Sequence, residues 1–160
     1  MMHVFAEAPR QLLTRERGAA LEVVRLRIPP TGPDAVDEWL WVEKVTDHLF
    51  HILSIPFFTS VCSAGDVVLG VENPATFELE FVAMDQPRAS GHWLCTLRAG
   101  VRPEHAADVF DELQAAHGMI EMGGPTFFAV ATTWPDTPEA VARVLRFHHA
   151  KVLSHAIPTA

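Results

Sequence analysis

The chain has 160 residues, of which 49% are hydrophobic and 20% are charged, and its formal net charge is −8 at pH 7. This composition is typical of a folded globular protein and argues against an intrinsically disordered chain. No stretch approaches the roughly 20 consecutive apolar residues of a membrane-spanning helix, and the first residues lack the basic and apolar regions of a secretory signal. We therefore expect a cytoplasmic protein that does not bind a membrane.

The negative charge is concentrated in the middle of the chain. Residues 29–90 contain ten acidic residues against only two basic ones, Lys44 and Arg88. A surface of this sign repels nucleic acid and favours a basic protein partner. The same excess is also typical of an acidic soluble protein without such a partner, so both interpretations stay open.

The first half of the chain predicts a small β-barrel-like lobe over residues 20–88, preceded by an N-terminal extension over residues 1–19. Apolar and polar residues alternate in several short segments that turn residues separate. Strands this short and this closely connected are expected to close on themselves. The predicted strands are Leu21–Ile28, Glu38–Val45, Leu49–Ile55, Val67–Val71 and Phe77–Met84.

The second half predicts a ferredoxin-like lobe of the split βαβ type over residues 91–157, which makes the whole chain α+β. The stretch DQPRASG, residues 85–91, has the composition of a linker between the two lobes. The predicted order is a strand over His92–Val101, a helix beginning at Pro103, a hairpin over residues 119–132, a helix beginning near Glu139 and a strand over Leu153–Ile157. The apolar face assigned to the second helix includes His148 and Val152.

Four short motifs stand out in this pattern: acid-x-Leu-Trp-x-Glu, Ile-Pro-Phe-Phe, Gly-Asp-Val-Val and Thr-Leu-Arg. They are formed by Glu38, Leu40, Trp41 and Glu43; Ile55, Pro56, Phe57 and Phe58; Gly65, Asp66, Val67 and Val68; and Thr96, Leu97 and Arg98. In sequence and spacing they resemble a bacterial family, the domain of unknown function 4265, over about residues 20–150. Ser54 stands where the family pattern has Asn. The resemblance implies a fold and no particular activity.

No catalytic residue is predicted. Glu38 and Glu43 flank a tryptophan, but they are five positions apart on a strand and so point to opposite faces. Asp66 follows a glycine and is expected to cap its own turn. An enzyme that uses Glu43 or Asp66 is the least favoured of the three functional hypotheses, and the other two are given below.

No cofactor or metal site is predicted either. Cys62 and Cys95 are far apart and belong to no CxxC pair, so we expect buried free thiols. His148 and His155 are separated by about 10 Å if they lie on one helix, too far apart for one zinc ion without other ligands. On a helix, His149 would point about 100° away from His148.

The leading hypothesis is a non-enzymatic module that binds a basic protein partner through an acidic, tryptophan-bearing face. An immunity or antitoxin protein that masks a toxin is one concrete form of it. Tryptophan is enriched at interaction hot spots, although core packing is the ordinary explanation for any one residue. The predicted binding residues are Asp34, Asp37, Glu38, Trp39, Trp41 and Glu43.

The alternative is a regulatory domain that holds a small anionic molecule between the two lobes. Arg98 is the predicted anchor for this ligand, because a guanidinium group binds carboxylates and phosphates. The sequence contains no feature that predicts an oligomeric state.

Overall fold

The computed structural model describes residues 22–30 and 32–159, and within them lie nine β-strands and two α-helices. The first five strands are β1 (Val23–Ile28), β2 (Glu38–Lys44), β3 (Leu49–Ile52), β4 (Val67–Glu72) and β5 (Leu79–Gln86). The remaining elements are β6 (Ala89–Leu97), α1 (Pro103–Ala115), β7 (Met119–Met122), β8 (Phe127–Thr133), α2 (Glu139–Phe147) and β9 (Val152–Ala156). The predicted extension over residues 1–19 lies outside the described residues.

Strands β1 to β5 form a closed barrel, called the barrel lobe below, and this confirms the prediction for the first half of the chain. Consecutive strands pair antiparallel, and β1 closes onto β5 through a parallel pair, Arg27 with Glu80. Because side chains alternate between the two faces of a strand, every second residue points into the barrel. The buried core consists of Leu26, Ile28, Leu40, Val42, Phe50, Ile52, Cys62 and Val68.

The barrel bends along β4 and β5, whose pairing shifts register twice within residues 67–70. Such bulges increase the local twist, which a barrel of only five strands needs in order to close. Gly70 lies at the second shift, directly over the barrel core. A Cβ atom at this position would stand 3.1 Å from a ring carbon of Phe50 and 3.2 Å from a methyl carbon of Leu26.

The stretch DQPRASG is not a linker, and this part of the prediction is wrong. Strand β5 continues to Gln86 and β6 begins at Ala89, so only two residues separate the strands. The buried Asp66 carboxylate accepts the backbone N–H groups of Arg88 and Ala89, at 2.6 and 2.7 Å. These two hydrogen bonds hold the chain in place where it crosses from the barrel to the sheet.

Strands β6 to β9 form a four-stranded antiparallel sheet in the order β7-β8-β6-β9, and with its two helices it is called the sheet lobe below. The helices cover one face, where a core forms between the sheet and both helices. Its buried members are Trp93, Cys95, Val109, Leu113, Phe128, Val130, Val141, Leu145 and Val152. No helix in the described residues is long and apolar enough to cross a membrane.

Helix α2 is shorter than predicted. It ends at Phe147, and Val152, which was placed on its apolar face, is the first residue of β9. A turn follows the helix, in which the His148 carbonyl accepts the backbone N–H groups of Lys151 and Val152. The periodicity was misleading because His148 and Val152 are both buried, one after the helix and one on a strand.

The other face of the sheet packs against a segment of the barrel lobe, residues 53–66, which joins β3 to β4. Ile55, Phe57 and Ala64 of this segment form a buried cluster with Ala129 and Ala131 of β8. Alanine side chains are small, so the segment approaches the sheet closely. The two lobes therefore share this cluster as a common core, and the segment between them is called the junction segment below.

Candidate functional site

Trp39 and Trp41 lie together on the outer face of strand β2. Leu40 and Val42 point inward and are almost completely buried, whereas Trp39 and Trp41 are half-buried. The Arg25 guanidinium carbon lies 5.5 Å from the centre of the Trp39 ring and 5.9 Å from that of Trp41. This spacing is that of a cation–π contact with each ring. Both indole rings therefore contact the guanidinium group of Arg25 in the same chain.

The predicted acidic residues before β2 have different surroundings. Asp34 is exposed in the loop between β1 and β2. Asp37 forms a bidentate ion pair with Arg27, whose Nη2 atom lies 3.0 Å from each carboxylate oxygen, and Arg27 also donates to Glu80 at 2.9 Å. The charge of Asp37 is thus balanced by the guanidinium that closes the barrel seam between β1 and β5.

Glu38 is not on the surface, and its assignment to an exposed acidic face is corrected here. Its side chain is only 7% exposed and points inward beneath the junction segment. It accepts the backbone N–H groups of Phe57 at 2.5 Å, Phe58 at 3.0 Å and Thr59 at 2.9 Å. Burial raises the pKa of the Glu38 carboxyl, and the three N–H groups act in the opposite direction.

Glu121 is the residue that sequence reasoning missed. It lies on β7 of the sheet lobe, and its Oε2 atom accepts the backbone N–H of Ile55 at 2.7 Å. Burial raises the pKa of Glu121 to about 7, and the nearby negative charge of Glu38 acts in the same direction. The only local signal was a single acid inside the apolar strand MIEM.

Glu38 and Glu121 face a narrow cleft between the lobes, called the junction cleft below. Its lining also includes Asp37, Trp39 and Phe58, and no basic residue. The space inside is about 10 Å³, which is room for a single water molecule. The cleft is therefore much too small to hold a metabolite.

Asp66 has a structural role, as expected from its position after Gly65. Besides the two N–H groups at the start of β6, it accepts the backbone N–H of Ser63 at 2.8 Å. Glu43 lies on the outer face of β2, opposite His51 of β3 and 3.6 Å from its Nδ1 atom. Glu38 and Glu43 thus point to opposite sides of the strand, as predicted.

His92 is buried behind the junction segment. It is 3% exposed, and its Nε2 atom has no hydrogen-bond partner among the described residues. Burial lowers the pKa of His92, while a hydrogen bond with the backbone of Pro56 and the charge of Asp66 act against this. The imidazole is therefore held in its neutral form within the core.

A larger cleft opens on the barrel lobe beside β1 and the turn between β4 and β5. It has a volume of about 750 Å³ and is called the barrel cleft below. Its lining reaches inward to three apolar side chains, Val24, Phe50 and Leu79, and Trp39 contributes from β2. Four acidic side chains also line it, namely Glu22, Asp47, Glu72 and Glu78.

Phe77 lies at the edge of the barrel cleft in an unusual conformation. Its side chain is 77% exposed, and its backbone has a φ of 58° in the left-handed region. A bulky residue rarely adopts this conformation, which glycine and asparagine tolerate much better. The turn is fixed by hydrogen bonds from the Phe77 N–H to the Asn73 carbonyl and from the Asn73 N–H to the Glu78 carbonyl, at 2.7 and 2.8 Å.

Arg98 is not brought to the junction between the lobes. It is exposed, lines neither cleft, and donates from Nε to the carbonyl of His149 at 2.9 Å. This hydrogen bond ties the end of β6 to the turn after α2. The anion anchor predicted at Arg98 is therefore separate from both clefts.

The remaining residues considered as ligands are dispersed. His148 is buried and bonded to Glu112 at 2.9 Å, whereas His149 and His155 are exposed. His148 follows the end of α2 and His155 lies on β9, so these histidines do not share a helix. Across residues 22–30 and 32–159 no cluster of three metal-ligating side chains occurs. Cys62 and Cys95 are both free and buried, as predicted.

Comparison with known proteins supports the resemblance drawn from the motifs. The family model "Domain of unknown function (DUF4265)" matches residues 38–156, so the chain belongs to this family. No curated protein matches the chain. A crystal structure of a hypothetical protein from Neisseria gonorrhoeae is similar over 90% of this chain and 99% of its own, with a TM-score of 0.64 and 15% identity. At this identity the likeness is one of fold.

Proposed function

We propose that this member of the DUF4265 family is a protein-interaction module, and that its barrel cleft binds a basic segment of a partner protein. The observation that carries the proposal is Phe77. Its large aromatic side chain is exposed to solvent, and its backbone has a conformation that bulky residues rarely adopt. Strain of this kind is retained where the side chain has a use.

The barrel cleft is lined by four acidic side chains and by two cations, Arg25 and Lys44, and this acidic excess supports a basic partner. Lys44 is 3.1 Å from Asp47, so these two charges balance each other. Glu72 and Glu78 flank the turn that carries Phe77, and neither has an ion-pair partner among the described residues. Carboxylates at the rim of an apolar cleft favour a segment that combines lysine or arginine with an apolar side chain.

Among the residues predicted from the sequence, Trp39 lines this cleft and is part of the proposed surface. Asp34, Asp37, Trp41 and Glu43 do not line it. An immunity or antitoxin protein that masks a basic toxin is one form that this function takes. The position of Arg98 gives less support to the alternative, an anionic small molecule held between the lobes.

Fluorescence anisotropy with a labelled peptide tests the proposal. The probe contains four lysines around one phenylalanine, and a second peptide has glutamate in place of each lysine. We expect the basic peptide to bind and the acidic peptide not to bind. Affinity should fall about tenfold or more between 50 and 500 mM salt, because rim charges are screened.

Two double variants identify the surface. Replacing Glu72 and Glu78 with lysine should weaken binding of the basic peptide about tenfold. The control replaces Glu104 and Asp108, two exposed acids on α1, and makes the same change in net charge. Equal losses in both variants, or binding of both peptides, would contradict the proposal.

We also propose that the sheet lobe is of the ferredoxin-like type. The order β7-β8-β6-β9, with α1 after β6 and α2 after β8, supports this assignment. An experimental structure in which β6 is not the strand between β8 and β9 would contradict it.

A further inference from the structure

The junction segment is held by acidic side chains from both lobes. Its N–H groups at Phe57, Phe58 and Thr59 donate to Glu38 of the barrel, and its N–H at Ile55 donates to Glu121 of the sheet. The four donor residues of the junction segment belong to no strand or helix. The two carboxylates thus supply the hydrogen-bond acceptors that a paired strand would otherwise supply, and they join the segment to both lobes.

No cation among the residues that line the junction cleft offsets these two carboxylates. Asp37, just before β2, lines the same cleft, but it is paired with Arg27, which also binds Glu80. His92 of β6 lies behind the segment, and the negative charge of Asp66 acts on its pKa. The groups that face Glu121 from the packed elements are therefore acidic, already paired or, in the case of His92, disfavoured as a cation by burial.

Two carboxylates that share a desolvated site do not readily ionise together, because each charge raises the energy of the other. The Oε1 atom of Glu121 has no hydrogen-bond partner among the described residues, so it is open to hold a proton. The raised pKa of Glu121, about 7, agrees with this arrangement. When both carboxylates are ionised, no cation among the residues that line the cleft offsets their charges.

We propose that Glu38 and Glu121 form a proton-dependent latch, which holds the two lobes together while the pair retains one proton and loosens when both are ionised. The part that moves is the junction segment, since it contacts both carboxylates. The barrel core and the sheet core stay closed, because neither includes these side chains. The proposal is independent of the barrel cleft.

Hydrogen–deuterium exchange with mass spectrometry tests the latch, with rates corrected for the intrinsic effect of pH. In the unmodified protein, protection of the peptide that covers residues 53–60 should fall about tenfold between pH 6 and pH 8. Peptides from β2 and β8 should keep their protection. In Glu121→Gln, which is neutral at both values, protection of residues 53–60 should stay constant within about twofold.

Two further measurements make the test decisive. Glu104→Gln, a change at an exposed acid of α1, should behave as the unmodified protein does. The side-chain carboxyl carbon of Glu121, followed by NMR in the unmodified protein, should titrate near pH 7 even if the Gln variant fails to fold. An ordinary glutamate titration, a flat exchange profile, or loss of protection in all peptides at once would overturn the proposal.

Discussion

Glu38, the first residue of β2, accepts the backbone N–H of Phe57, which follows it by 19 residues in the chain. The same carboxylate accepts the next two N–H groups of the junction segment. A buried carboxylate with three such donors satisfies groups that would otherwise lack partners. Glu38 thus fixes the shape of a segment that has no regular secondary structure.

Glu38→Ala should therefore destabilise the protein strongly. The change leaves three N–H groups without an acceptor, and each unsatisfied buried donor costs about 1 to 3 kcal/mol. We expect the free energy of unfolding to fall by about 3 to 5 kcal/mol in urea denaturation. Glu104→Ala, at an exposed site, should change it by less than about 0.5 kcal/mol. A similar small effect at Glu38 would show that water replaces the carboxylate.

Glu121 should make the protein less stable as the pH rises. Its carboxyl begins to ionise near pH 4.5 in the unfolded chain but only near pH 7 in the folded one. Between these values the unfolded state releases a proton first, so stability is lost as the pH rises through 7, by about 3 kcal/mol at most. Urea denaturation from pH 5 to pH 8 should show this fall, and Glu121→Gln should remove most of it.

His92 should make the protein less stable as the pH falls, which is the opposite of the effect of Glu121. Its pKa is lowered from 6.5 by burial, so below pH 6.5 the unfolded chain takes up a proton that the folded protein resists. Stability is therefore lost as the pH falls, in part of the range where Glu121 gains it. His92→Gln should remove the acidic loss, as measured by the difference in unfolding free energy between pH 7 and pH 5. An unchanged difference would assign the acidic loss to other groups.

Phe77→Asn should separate stability from binding. Asparagine tolerates the left-handed region, so the turn is relieved and unfolding should require about 1 kcal/mol more. Binding of the basic peptide should weaken, because the exposed ring is gone. Phe147→Asn is the matched control, since Phe147 is 76% exposed but lies at the end of a helix. It should bring no gain in stability and no loss of binding.

Neither cysteine should react in the folded protein. Burial raises the pKa of Cys62 and of Cys95 to about 12, so almost no thiolate is present at pH 8. We expect no colour change with a disulfide reagent until guanidinium unfolds the chain, when both thiols should react. Rapid labelling of the native protein, assigned with Cys95→Ser, would indicate that one core opens locally.

Local patterns were sufficient to predict most strands and both helix starts. The alternation along β2 placed Leu40 and Val42 on one face without showing which face is inward, and Glu38 belongs to the same face. Its burial was nevertheless missed, because its charge argued for a surface and its three donors come from a distant segment. The end of α2 was missed for a related reason, since buried residues of a following turn and strand continued its pattern by chance.

The candidate sites depended on contacts that sequence order does not contain. Glu121 and Glu38 are 83 positions apart in the chain and meet only because β8 packs on the junction segment. The conformation of Phe77 is set by hydrogen bonds of a turn whose sequence, Asn-Pro-Ala-Thr, is typical of turns but does not specify the backbone angles. The interaction between the two carboxylates and the backbone angles of the turn could therefore be found only from the folded structure.

The shared cluster of Ile55, Phe57 and Ala64 with Ala129 and Ala131 also bears on how the chain melts. Cutting between β5 and β6 would expose apolar side chains on both fragments and strip Asp66 of two of its donors. Each half would then lack the residues of the other half that pack against its apolar side chains. A calorimeter should accordingly record one cooperative heat-absorption peak for the intact chain, and two separately expressed halves should recover it only when they are mixed.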